Sequence, residues 1–340
     1  MDRYIVNITD EALDDMCFME RRMCIRGCRR GIIHKCNMND AEIKAKLDEI
    51  VRLCLAKWEI KNDDDRILKF KEELPLFIQE FDDSSMSMIE SLLYRFDYFS
   101  HENVNKRLVE LYAKINMVYD LDPNLTAYSI VKSATGRINS SCDYISDFKH
   151  FNHISKNFVF TDIDTAARRE EWLYFDTVVL VDDICGSGDT LKSFLKDRYD
   201  VFKDKRIIYV VICAMGKAIT RLEQFASENG FNVFVECSVR FDKALEDSEL
   251  KCRKSEFKGL SESLGIYGQD IFGYKKTESL IAYYNNTPNN TLGIFRKKTN
   301  KNHAIFPRDE DTKISIEDMK KAREERKRNN YNNRMVSYSD

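Results

Sequence analysis

Apolar residues recur every three to four positions in the first third of the chain. Ile43, Leu47, Ile50, Val51 and Leu55 lie on one helical face, as do Ile89, Leu92, Leu93 and Phe96. Leu108, Leu111, Ile115 and Val118 form a third stripe. This period predicts amphipathic helices over residues 1 to about 118, with Asn62–Arg66 as a loop and cap. A break follows at Asp120-Leu-Asp-Pro-Asn124. Beyond it the pattern changes to short apolar runs, at Ala127–Val131, Phe158–Phe160, Val178–Val181, Ile207–Ala214 and Phe231–Cys237. Helical stretches separate them, Asp143–Lys149 and Ala218–Asn229 among them. Continuous apolar strands alternating with helices predict an α/β fold, with a parallel, doubly wound sheet covered on both faces. The expected domains are a helical 1–120, an α/β 121–300 and a basic tail at 301–340. Ser315 is a candidate cap for the tail helix, which carries Lys320, Lys321, Arg323, Arg326, Lys327 and Arg328.

One stretch carries chemistry. Residues Phe175–Leu191 read FDTVVLVDDICGSGDTL. An apolar strand ends in the carboxylates of Asp182 and Asp183. The small-residue loop Gly186-Ser187-Gly188-Asp189-Thr190 follows, and then a helix begins. Backbone N–H groups of such a loop, with those of the first helical turn, cradle a phosphate. The aspartates lie at the strand end, where open α/β sheets bind ligands. A ligand with a phosphate at one end and vicinal hydroxyls or a metal at the other suits this geometry. No G-K-[ST] follows the glycines, so the loop is not a Walker P-loop. Asp162 and Asp164 form a D-x-D like that opening haloacid-dehalogenase phosphohydrolases. Fewer than twenty residues separate them from Asp182, too few for that family, and Ala166 stands where it usually places Thr or Val.

V-D-D-I-C-G-S-G-D-T resembles the phosphoribosyl pyrophosphate (PRPP) loop of type I phosphoribosyltransferases. The resemblance implies that Asp182 and Asp183 hold the ribose hydroxyls, with Mg²⁺ directly or through water. It implies that Gly186, Ser187, Gly188, Asp189 and Thr190 wrap the 5′-phosphate. Gly186 stands where the 6-oxopurine enzymes carry a proton-transferring aspartate, which argues against hypoxanthine or guanine salvage. Asp189 adds negative charge beside a phosphate, so its side chain is expected to turn away. In that family a pyrophosphate loop precedes the PRPP loop. Lys132, Ser133, Gly136, Arg137 and Ser140 occupy that place here. Asp162–Glu171 lies where a hood covers the site, although Arg168 and Arg169 read more simply as solvated helix residues.

Gly273-Tyr274, N-T-P-N-N-T-L and Phe306-Pro307-Arg308, with the helical extension, resemble a phosphoribosyltransferase-like subgroup of bacterial conflict and defence systems. In the polar stretch, Asn286, Asn289 and Asn290 are candidates for a base edge, against the alternative of a plain Asn-rich turn. The implied activity is pentosyl transfer or cleavage at the anomeric carbon with Mg²⁺. A ribonucleotide-sensing regulator without turnover is the alternative, and an interaction subunit of a protein–nucleic-acid complex is another.

Composition narrows the partners. The net charge of −3 gives no global electrostatic case for nucleic acid. The basic tail and the N-terminal helices are candidate surfaces for a protein or nucleic-acid partner. No apolar run reaches membrane-spanning length. The first thirty residues are charged and lack a signal-peptide apolar core, so a cytoplasmic location and reduced thiols are expected for the ten cysteines. Cys24, Cys28, His34 and Cys36 are zinc-ligand types, but the spacing matches no standard knuckle. Buried thiols in a helical hairpin are the plainer reading.

Overall fold

The computed structural model describes residues 40–132, 141–246 and 248–309, with Lys321, Arg323, Glu324 and Arg326 in addition. Ser133, Gly136, Arg137, Ser140 and the Cys24–Cys36 cluster lie outside the described residues, as does most of the basic tail. The described residues up to Arg308 form one compact unit, and those from Asp309 on belong to a second. In the second unit, Lys321, Arg323, Glu324 and Arg326 are helical and exposed.

Three helices open the described chain: α1 (Asp40–Lys57), α2 (Asp65–Ile78) and α3 (Asp83–Arg95). The carboxylate of Asp64 accepts from the Ile67 N–H at 2.9 Å and caps α2, within the loop read as Asn62–Arg66. A strand not foreseen from the sequence follows, β1 (Asp97–Phe99). Then comes α4 (His101–Tyr119), capped by Ser100. Of its apolar stripe, Leu108, Leu111 and Ile115 are buried while Val118 is exposed.

The α/β part runs β2 (Thr126–Ile130), α5 (Ser141–Phe151), β3 (Val159–Phe160), β4 (Thr177–Cys185), α6 (Asp189–Lys196), β5 (Arg206–Met215), α7 (Gly216–Asn229) and β6 (Asn232–Phe241). The five strands form one sheet in the order β3-β2-β4-β5-β6. Every pairing in it is parallel. Alternating side chains explain the double layer. Val178 and Leu180 of β4 share one core with Leu191 of α6 and Leu222 of α7. Val179 and Val181 point the other way, into a core with Leu108 and Leu111 of α4 and Tyr144 and Phe148 of α5. The helical stretch expected up to residue 120 therefore divides in its packing. Helix α4 covers the sheet, whereas α1 to α3 build a separate core.

That separate core is shared with the C-terminal segment. Trp58, Phe70, Phe77 and Phe96 pack with Phe295 and Phe306. The segment contains α8 (Lys254–Ser263) and β7 (Ile281–Tyr283). Strand β7 pairs in parallel with β1, matching Phe99 to Tyr283. This pairing brings residues 273–291 to the end of β4. Among the described residues, no helix is long and apolar enough to cross a membrane.

Candidate functional site

The acidic pair sits inside the last turns of β4, which continues in register with β5 to Cys185 opposite Ala214. Adjacent strand residues face opposite sides, so the two carboxylates differ. Asp182 is 8% exposed. Its Oδ1 accepts from the Ser141 hydroxyl at 2.6 Å and from the Asp183 N–H at 2.9 Å. Its Oδ2 accepts from the Tyr209 hydroxyl at 3.0 Å. Burial, and next the charge of Asp183, raise the Asp182 pKa well above the ordinary carboxylate range. Asp183 is only half-buried. Its Oδ1 accepts from the Ile184 N–H at 2.7 Å, and its backbone carbonyl accepts from the Tyr283 hydroxyl at 2.9 Å. Asp182 is thus sealed within the protein, and Asp183 is the carboxylate a ligand can reach.

The loop after β4 turns directly into the N-terminus of α6. Gly188 adopts φ +80° as the N-cap of α6, with no side chain to cap the first turn. Leu222 of α7 lies 3.0 Å from the position of a Cβ there, so both conformation and space call for glycine. The Ser187 hydroxyl accepts from the Asp189 N–H at 3.3 Å. Thr190 is exposed. Asp189 faces Lys275, with Nζ 3.8 Å from Oδ2. A cation from the C-terminal segment therefore stands beside the carboxylate expected to disfavour a phosphate.

That segment forms a wall along the loop. Lys275, Lys276 and Glu278 all have left-handed backbones, with φ between 52° and 54°. Such strain in non-glycine residues concentrates at sites of function and needs surrounding structure to hold it. Glu278, fully buried, bonds Lys254 Nζ, takes the Leu245 N–H at 3.3 Å and lies 4.0 Å from Lys243 Nζ. The three asparagines read as base-edge candidates separate. Asn286 Oδ1 accepts from the Thr287 N–H at 2.7 Å, inside its own turn. Asn289 is exposed, and its carbonyl accepts from the Tyr274 N–H at 2.8 Å. Asn290 is 7% exposed, and its Nδ2 donates to Thr277 Oγ1 at 3.0 Å. The same amide lies against Gly186.

Lys132 is half-buried at the end of β2, and its Nζ lies 3.4 Å from Asp162 Oδ1. Asp164 is held by Arg198 through two bonds of 2.8 Å. Both carboxylates of the D-x-D are thus tied to cations. Arg168 and Arg169 are exposed, and Arg169 pairs with Glu171 at 3.3 Å.

A profile of the PRTase-CE family matches residues 76–308. The chain belongs to the PRTase-CE family. This places it among type I phosphoribosyltransferase-like proteins. The match begins in α2 and so takes in β1, α4 and the C-terminal wall along with the sheet. Among solved structures, the chain is similar to Helicobacter pylori xanthine-guanine-hypoxanthine phosphoribosyltransferase. The identity is 15%, over 46% of this chain and 97% of that one, with a TM-score of 0.29. None of the curated proteins matches.

Around the acidic pair of this PRTase-CE chain, Ser141, Tyr144, Tyr209 and Tyr283 escaped the sequence reading. Ser141, Tyr209 and Tyr283 bond the pair across long chain separation, Tyr144 packs against Tyr283, and a lone Ser or Tyr in an apolar stretch carries no local signal. Among the described residues, no group of three or more His, Cys, Asp or Glu could hold a metal ion. A cavity of about 440 Å³ opens at the amino ends of β4, β5 and β6, beside Thr177, Arg206 and Asn232, at the opposite end of the sheet from Asp183. There Arg206 bonds Thr177 Oγ1 and the Tyr119 carbonyl, and Lys205 bonds backbone carbonyls of Trp172 and Phe175.

Proposed function

We propose that this PRTase-CE chain binds PRPP, or a related ribose phosphate, and transfers or cleaves the ribosyl group at its anomeric carbon. The observation that carries the reading is a single unit of chain. Strand β4 ends in a reachable carboxylate, Asp183, and turns through Gly188 at φ +80° into the uncapped N-terminus of α6. Ribose hydroxyls bind at Asp183, and the 5′-phosphate binds on the N–H groups of residues 186–190. Asp182 acts through Asp183 as a positioning residue, because its own oxygens are already used by Ser141, Tyr209 and the Asp183 N–H.

Pyrophosphate leaves with the electron pair of the C1–O bond, and a nitrogen nucleophile or water forms the new bond to C1. The protein supplies no nucleophile for this. Its work is to fix the sugar so that C1 is held in place. Lys132, with the 133–140 segment, is the candidate to receive the pyrophosphate. Mg²⁺, when bound, neutralises the leaving charge. Asp183, the half-buried carboxylate of the pair, is the residue that would hold it together with the ligand's own phosphates. Asn289, the exposed member of its trio, is the candidate for a base edge. Action as an effector of a bacterial antiphage defence system, in the cytoplasm, rests on the sequence resemblance alone.

A second reading, a ribonucleotide sensor without turnover, is favoured by one observation. The neutral amide of Asn290 fills the space beside Gly186, the position at which the resemblance to the 6-oxopurine enzymes would put a proton-transferring aspartate. Incubation with PRPP, Mg²⁺ and pooled bases separates the two. Pyrophosphate release supports the enzyme; a PRPP-dependent rise in melting temperature without release supports the sensor. Absence of both contradicts the ribose-phosphate reading.

A further inference from the structure

Tyr144 is fully buried, and its hydroxyl has no hydrogen-bond partner among the described residues. It lies on α5 one turn after Ser141, the residue that holds Asp182. Its ring meets the Tyr283 ring edge-on, with centroids 5.9 Å apart, and the Tyr283 hydroxyl holds the Asp183 carbonyl. Of the neighbouring charges, that of Asp183 acts most strongly on the phenol. The neighbouring hydroxyls among the described residues are used: Ser141 and Tyr209 on Asp182, Tyr283 on Asp183.

Buried tyrosine hydroxyls ordinarily find a partner, and one left without a partner destabilises the fold. Phenylalanine would fill the same space with no polar atom to satisfy. The hydroxyl therefore has its use in a state other than the unliganded one. We infer that Tyr144 is a positioning residue of the ribose end of the site: in the liganded protein its O–H donates to the Asp183 carboxylate and fixes it against the vicinal diol of a ribose 5-phosphate moiety. Asp183 Oδ1 rests on the adjacent Ile184 N–H, a local bond that rotation of the carboxylate exchanges for the phenol. The inference rests on the ribose-phosphate reading of the site.

The test is Tyr144→Phe, followed by melting of the unliganded protein and by calorimetric titration with ribose 5-phosphate and with 2-deoxyribose 5-phosphate. The expected result has two parts that move in opposite directions. The unliganded variant melts at the wild-type temperature or above it, because no hydrogen bond is lost. Its affinity for ribose 5-phosphate falls on the order of tenfold, the usual scale for a bond to a charged group. Affinity for the 2-deoxy sugar falls less, so discrimination between the two sugars narrows. Wild-type affinity in the variant overturns the inference. A lowered melting temperature, failure to fold, or equal losses for both sugars does so too, by assigning Tyr144 a structural role. If the wild type binds neither sugar phosphate, the ribose-phosphate reading itself falls, and the inference with it.

Discussion

The side-chain amide of Asn290 fills the space that a side chain at Gly186 would enter: a Cβ added there would lie 2.2 Å from Nδ2 and 2.7 Å from Cγ. More than a hundred residues separate the two in the chain. The C-terminal wall thus supplies the side chain missing from the first position of the loop. Gly186→Ala is expected to destabilise the protein by about 1–3 kcal/mol through overpacking. In an Asn290→Ala background that cost should shrink by at least about 1 kcal/mol, since the two groups compete for one volume. Denaturant midpoints of the four proteins of this cycle measure it. Strict additivity contradicts the contact.

Asp182 sets a pH dependence. Its folded pKa is raised by burial and by Asp183, so the stability it contributes is full below the unfolded carboxylate value and is lost as pH rises through the raised one. Asp182→Asn cannot ionise. The melting temperature of the variant minus that of the wild type should therefore climb between about pH 4 and about pH 9. A flat difference across that range contradicts a raised pKa.

Lys275 and Asp189 form an exposed pair, so Lys275→Met should change stability by less than about 0.5 kcal/mol. Its effect on anion binding is expected to be larger. The variant leaves the Asp189 carboxylate uncompensated beside the loop, so ribose 5-phosphate should bind several-fold more weakly. The second change, Asp189→Asn, should restore the affinity. Titrations at low and moderate salt test this, because screening shrinks the difference. Equal affinity in all three proteins removes Lys275 from the site.

Glu278 anchors the strained turn from within. Lys254→Met leaves a fully buried carboxylate with only a distant cation, Lys243, and the Leu245 N–H. The expected loss is about 3 kcal/mol, read from chemical unfolding. A loss below about 1 kcal/mol would mean that Glu278 does not depend on the pair.

What could be read from the chain is what neighbours in sequence determine. The run Val178–Val181, the carboxylates after it and the Gly186–Thr190 loop lie within one strand, turn and helix, so their order alone announced the α/β fold and the strand–loop–helix unit at its centre. The apolar run Ile207–Ala214 likewise could only be a buried strand. Strand β1 was hidden because its three residues, Asp97–Phe99, sit between two helices and gain strand character only by pairing with β7. The difference between Asp182 and Asp183 was hidden for a similar reason. Adjacent acids look equivalent until Ser141 and Tyr209 close over one of them. The Asn-rich stretch offered three equal amides. Packing against Gly186 and Thr277 buries Asn290, and leaves Asn289 exposed.

The most direct measurement is calorimetric titration of PRPP with Mg²⁺ into the wild type and Asp183→Asn, alongside the melting temperature of each. Saturable binding by the wild type is expected. Asp183→Asn should bind about 10- to 100-fold more weakly, the scale of a hydrogen bond to a charged group, while melting as the wild type does. Wild-type affinity in Asp183→Asn, or no binding by the wild type, would contradict a ribose-phosphate site at the end of β4.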